Sequence, residues 1–219
     1  MKPYFKIIGG TFILIGLLLF VYPFYTDWKV NQAQNALKQD WIKLNQTVAQ
    51  AETARADESE PAVSTTKGKQ VPSKAESKKI VTARDIVKKK GIVGELVIPR
   101  INLEAIIVKG VDQKSMKNAV GWMPSTSLPG EHGNVVLAAH RSHTYGQFFN
   151  RLNEINNGDV ITLRSYGRAF TYKVFDSLIV DPADLSVIQP ANDEILTLIT
   201  CHPLNSNKKR LIIKARLAD

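Results

Sequence analysis

The chain has 219 residues, 44% of them hydrophobic, with one cysteine and a formal net charge of +9. That length accommodates one domain with extensions or two small ones, and a single cysteine excludes an intramolecular disulfide. Residues 67–90 carry nine basic against two acidic side chains, residues 91–219 carry 14 against 12, and residues 1–66 carry six of each. The excess belongs to one segment, and no basic stripe interleaved with aromatics marks the rest, so nucleic acid is not an expected partner.

Residues Ile7 to Tyr25 form an apolar run of 19, interrupted only by small residues and Thr11, with Pro23 near its end. As a helix it spans about 28 Å, close to the thickness of a bilayer's hydrocarbon. Lys2 and Lys6 precede it, while Asp27 and Lys29 follow and offset each other. The charge asymmetry predicts a cytoplasmic amino terminus and an extracellular remainder. A cleaved signal peptide would need a small-x-small site after the run, and Phe24-Tyr25-Thr26-Asp27-Trp28 offers none. Residues 1–27 are therefore expected to be an uncleaved, single-pass signal anchor in the cell membrane.

Beyond it, Val30, Ala33, Leu37, Trp41, Leu44 and Val48 recur at three- and four-residue steps, one face of an amphipathic helix. The seam is too short and too rich in Gln and Asn for a coiled coil, so residues 28–51 read as a juxtamembrane stalk. Residues 52–90 read as a flexible basic linker. From Glu52 to Lys79 there is no aromatic residue, Pro61 and Pro72 interrupt the chain, and little apolar surface offsets the entropy of ordering. Residues 80–90 suit a short helix entering the next domain. Lysines in this segment would each contribute about 1 kcal/mol near an anionic surface; a solvated, self-repelling spacer is the plainer reading.

From Gly91 the texture changes. Glu95–Pro99 and Leu103–Val108 read as strands around a turn at Arg100 to Asn102, and Asp112 to Val120 as a short helix capped by Asp112. Ser125 to Asn134, with Pro129-Gly130 and His132-Gly133, reads as a loop. Further strands are expected around 134–139, 159–164, 168–180, 195–200 and 210–217. About eight short strands and few helices in residues 91–219 predict a mainly β domain, a closed antiparallel barrel with short helices. Its length suffices for a core without staples.

Three of these strands end in chemistry. Leu196-Thr197-Leu198-Ile199-Thr200 leads to Cys201, Val135-Val136-Leu137-Ala138-Ala139 leads to His140, and Arg210 opens the last strand. A thiol, an imidazole and a guanidinium are a nucleophile, a proton carrier and a fixed charge for an oxyanion, the parts of acyl transfer. Thr197, Ile199 and Cys201 share one strand face, and His202-Pro203 stops the ladder beside Cys201. A buried, inert thiol is the competing reading of a lone cysteine. His202 adjoins the nucleophile but points to the opposite face, so it reads as a surface or substrate-side residue. His140 and His143 lack further ligands at metal-site spacing, so no metal and no cofactor are expected. Arg141 and Arg151 compete with Arg210 for the oxyanion role.

These pieces, Ala139-His140-Arg141, Thr197-Leu198-Ile199-Thr200-Cys201 and Arg210, in that order, resemble the sortases, the cysteine transpeptidases of Gram-positive cell surfaces. The resemblance covers roughly residues 92 to 217. One departure is that sortases usually carry Gly before the histidine, where this chain has Ala139, a change in backbone freedom more than in chemistry. The resemblance implies the eight-stranded barrel, catalysis by His140, Cys201 and Arg210, and a substrate contact from Thr200. It also implies surface-protein substrates bearing a Leu-Pro-x-Thr-Gly-like sorting signal, cut between Thr and Gly, and a peptidoglycan-precursor or stem-peptide amine as acceptor. The short Cys201–Arg210 connection and its Cys-His-Pro start look most like class D, with class E the nearest rival. With ordinary pKa values, about 3% thiolate and 24% imidazolium at pH 7 would leave roughly 1% of molecules doubly charged if the two groups were uncoupled. Two rival readings remain at this stage: a cysteine peptidase that only hydrolyses, and a non-catalytic extracellular binding module.

Overall fold

The computed structural model describes residues 3–56, 83–141 and 147–218. Most of the expected linker, residues 57–82, and His143 lie outside the described residues.

Strands form where the residues alternate. In β6 (Arg168–Val180) Phe170, Tyr172 and Val174 turn inward while their neighbours face water, and in β5 (Val160–Ser165) Ile161 and Leu163 do the same. β8 (Lys209–Leu217) turns Leu211, Ile213 and Ala215 inward. β1 (Ile92–Ile98), β4 (Asn134–Ala138) and β7 (Ile195–His202) are covered on both faces for most of their length, which is why they read as near-continuous apolar runs. With β2 (Leu103–Lys109) and β3 (Val120–Trp122) they close a barrel in the order β1-β2-β3-β4-β7-β8-β6-β5. Leu96, Leu137, Leu163, Tyr172, Leu196 and Leu198 belong to its fully buried core.

The eight-stranded closed barrel is as expected, but its pairing is not antiparallel throughout. β2–β3 and β4–β7 are parallel, with Ile107 beside Val120 and Val135 beside Leu196. Parallel neighbours need a crossover; residues 110–119 supply the first, and β5 with β6 supplies the second. The helix expected over Asp112–Val120 is a single 3-10 turn, Ser115–Lys117. Asp112 accepts from the amides of Lys114 and Ser115 at 3.0 and 3.1 Å and from the Ser115 hydroxyl at 2.6 Å. That local closure ends the turn early and frees Val120 for β3. Two glycines permit the barrel's closest approaches. A Cβ on Gly94 would stand 2.2 Å from the Arg164 carbonyl oxygen, and one on Gly121 would stand 2.3 Å from that of Gly110.

α1 (Pro3–Ala56) is one continuous helix. Its side chains from Phe12 to Tyr25 are exposed, and among the described residues it is the helix long and apolar enough to cross a membrane. The apolar face of the expected stalk lies on the barrel: Val30, Leu37 and Leu44 pack against the core, and Trp41 is 4% exposed. α2 (Ala83–Lys90) buries Val87 in the core and keeps Lys88, Lys89 and Lys90 in water as it leads into β1.

Candidate active site

The site is a consequence of register. In the parallel pair, Ala138 of β4 stands beside Ile199 of β7, and the Ala139 amide still donates to the Ile199 carbonyl at 3.2 Å. Two residues further along each chain come His140 and Cys201, which therefore emerge side by side. In the antiparallel pair of β7 with β8, Cys201 is directly opposite Arg210. Cys201 and Arg210 thus lie on paired strands, with backbones about 4.8 Å apart, and His140 follows the end of the strand on the other side of β7. Leu196, Leu198 and Thr200 point into the barrel, so Cys201 points out of it, half-buried.

His140 and Cys201 line one cavity of about 760 Å³, within the range of peptide- and ligand-sized clefts. Its far side is the connection from β7 to β8, through Asn205, Ser206, Asn207 and Lys208. Lys117, Arg141 and Lys208 line it, and among the described residues no Asp or Glu does.

The two arginines beside Cys201 are held differently. Arg210 donates through Nη1 to the carbonyl oxygens of Asn207 and Lys209, at 2.9 and 3.1 Å, and is not among the cavity-lining residues. Arg141 does line the cavity. It donates to the Asn150 carbonyl at 3.3 Å and to Asn153 Oδ1 at 2.6 Å, and its Nη1 stands 3.2 Å from His202 Nδ1. Burial draws the Arg141 guanidinium below its ordinary pKa, and the charge on Cys201 works in the opposite direction, which places the two within electrostatic reach. Arg151, the third arginine considered from sequence, is turned away to Glu154 at 2.7 Å and to the Ile101 carbonyl at 3.2 Å.

Thr200 is placed behind the site. It is 2% exposed, and its hydroxyl donates to the Ala139 carbonyl at 2.9 Å, tying β7 to the residue that precedes His140. Several cavity residues escaped the sequence reading, Val30 and Phe148 among them. Val30 reaches the cleft from α1, and its helical stripe marked a buried face without marking what that face meets. Phe148, 8% exposed, holds a positive φ of 45°, a conformation that bulky side chains adopt rarely and that clusters at functional sites. Nothing in the local sequence signals it. Among the described residues no group of three His, Cys, Asp or Glu side chains converges as a metal site would require.

Fold and cavity together define the class as a closed β-barrel with a thiol–imidazole cleft at one mouth. Comparison with known proteins makes the assignment specific. Residues 96–218 match the family model described as the Sortase domain. Sortase D of Bacillus subtilis is 37% identical over 130 residues, a match that spans 57% of this chain and 63% of that protein. Sortase A of Listeria monocytogenes is 25% identical over 214 residues, 97% of this chain and 90% of that one. The solved structure of a Clostridium perfringens sortase D5 transpeptidase superposes with a TM-score of 0.54 at 26% identity, covering 58% of this chain and 79% of its own. The chain belongs to the sortase family of enzymes.

Proposed function

We propose that the chain is a membrane-anchored cysteine transpeptidase that cuts a Leu-Pro-x-Thr-Gly-like sorting signal between Thr and Gly. It passes the acyl group to an amine of the cell wall. The observation that carries the reading is that His140 and Cys201 line one cavity, each two residues beyond the paired Ala138 and Ile199 of neighbouring parallel strands.

Cys201 thiolate attacks the Thr carbonyl, and the oxyanion is met by the Arg210 guanidinium. Collapse breaks the Thr–Gly C–N bond, and imidazolium His140 gives its proton to the departing amine. The thioester persists until an acceptor amine, from a peptidoglycan precursor or stem peptide, attacks it. His140 then takes the proton of that amine, the Cys201 thiolate leaves, and a new amide is the product. Arg210 suits the oxyanion because a guanidinium stays charged and presents planar donors, and because its backbone pairs with that of Cys201 across β7 and β8. Thr200 serves the substrate indirectly, by holding the His140 segment through Ala139.

The 37% identity to a sortase D and the likeness to a sortase D5 structure support a class D assignment. The exposed apolar stretch of α1 supports a single membrane crossing, with the amino terminus cytoplasmic and the barrel outside by charge asymmetry. The experiment is incubation of the full chain in detergent with a panel of sorting peptides, with and without an amine acceptor. Product that shifts from acid to amide when the amine is added meets the reading. Acid alone at every amine concentration replaces it with a hydrolytic peptidase.

A further inference from the structure

α1 is bound to the barrel more closely than an anchor requires. From Asp27 to Asn45, every third or fourth residue makes a defined contact. Asp27 Oδ1 accepts from Gln147 Nε2 at 3.1 Å, and Val30 lines the cavity with His140 and Cys201. Gln34 Oε1 accepts from the Ile106 amide at 3.0 Å, and Gln34 Nε2 donates to the Asn118 carbonyl. Lys38 bridges Glu95 and Glu104 at 3.2 and 2.9 Å. Trp41 meets Tyr166 edge-on with centroids 5.5 Å apart, the Tyr166 hydroxyl donates to the Ile92 carbonyl, and Asn45 accepts from the Gly167 amide at 2.6 Å.

The reason lies in the short third strand. β3 pairs with β2 only at Ile107, Val108 and Lys109, so among the described residues no strand lies along the edge of β2 away from β1 between Leu103 and Ile106. A backbone amide there needs a partner, and Gln34 supplies one to Ile106. The helix thus takes the place of missing strand, and its register on the barrel is set by side-chain bonds to named backbone groups. That register brings Val30 to the cleft. Val30 follows the apolar stretch by five residues, about 7.5 Å along the axis, so the wall it forms is the one nearest the bilayer.

We propose that the helix carrying the membrane anchor is part of the catalytic cleft: Val30, backed by the Asp27–Gln147 hydrogen bond, forms its membrane-side wall and determines which peptides reach Cys201. The inference rests on the sortase reading for the identity of the peptide, and on geometry alone for the wall. Val30 is a specificity-determining residue here, and Asp27 a positioning residue that acts through Gln147.

The test uses the full chain in detergent micelles and has two arms. In the first, Val30→Trp raises KM for a sorting peptide by about tenfold or more with kcat little changed, and Asp27→Ala raises it in the same direction. Ile42→Ala, on the outward face of the same helix, leaves KM unchanged. In the second, Val30→Cys is treated with a short bis-maleimide, and the linker joins position 30 to Cys201 within one molecule. Cross-linking needs no turnover. A chain that cross-links but forms no thioester with any peptide keeps the wall and loses the sortase reading. A chain that forms the thioester, fails to cross-link and shows wild-type KM in Val30→Trp and Asp27→Ala overturns the wall and keeps the reading.

Discussion

The Thr200 hydroxyl and the Ala139 carbonyl form a buried 2.9 Å hydrogen bond that joins the strand carrying Cys201 to the residue before His140. The bond lies one residue from each reacting side chain and touches neither. It ties together the two segments that end in His140 and Cys201. Thr200→Val removes the donor and keeps the shape, so a buried carbonyl loses a partner at a cost of about 1–3 kcal/mol. We expect a lower melting temperature and a lower kcat, with Thr200→Ser recovering most of both. Unchanged kcat in Thr200→Val at a lowered melting temperature would reduce the bond to a purely structural one.

The positive charges beside Cys201 can be separated by mutation. Loss of an oxyanion donor commonly costs about 10²–10³ in kcat, and Arg210→Ala should show that loss with KM little moved. Arg141→Gln keeps much of the side chain's length while removing the charge that faces Cys201. Its expected mark is slower alkylation of Cys201 at neutral pH, with Arg141→Lys recovering most of the rate. If Arg141→Gln carries the kcat loss and Arg210→Ala is silent, the two roles are exchanged.

Docking of α1 can be weighed directly. Trp41 is almost wholly buried against the barrel, and truncating a buried aromatic to Ala typically costs about 3–5 kcal/mol. Trp41→Ala should therefore release residues 27–45 from the barrel, seen as faster amide exchange at Ile106 and Gly167, whose amides α1 residues accept.

The same interface has a sign in pH. The hydrogen bond and charge of Lys38 hold the Glu104 carboxyl below its ordinary 4.5. A depressed folded-state pKa contributes stability above the unfolded value, and that stability is lost as pH falls through the folded one. Acidification below about 4.5 should therefore lower the melting temperature of the wild type more than that of Lys38→Met. Both groups are largely solvated, so the difference is expected to be small.

Much of the site was legible because strand ends are legible. Alternation around Leu198 marked the inward face of β7, and the break at His202-Pro203 marked where Cys201 leaves it. The opposition of Cys201 and Arg210 follows from two runs and a short connection. The fold resisted in two places. Val120-Gly121-Trp122 is too short to show a period, so β3 and its parallel pairing with β2 went unseen, and Asp112 suggested a helix that its own hydrogen bonds cut short. The stripe of Val30, Leu37, Trp41 and Leu44 declared a buried face but not its partner, because periodicity records that a surface is covered and not by what. Arg141 and Phe148 lie outside any helix or strand, where no period reports which way a side chain points.

The central claim is that Cys201 is a nucleophile activated beside His140, and intact-protein mass spectrometry tests it most directly. Wild-type chain mixed with a Leu-Pro-x-Thr-Gly peptide should gain the mass of the peptide up to Thr, on Cys201, and lose it on addition of hydroxylamine or an acceptor amine. The adduct should be absent in Cys201→Ala and scarce in His140→Ala. No adduct with any sorting peptide, from a Cys201 that alkylates only after denaturation, would contradict the account.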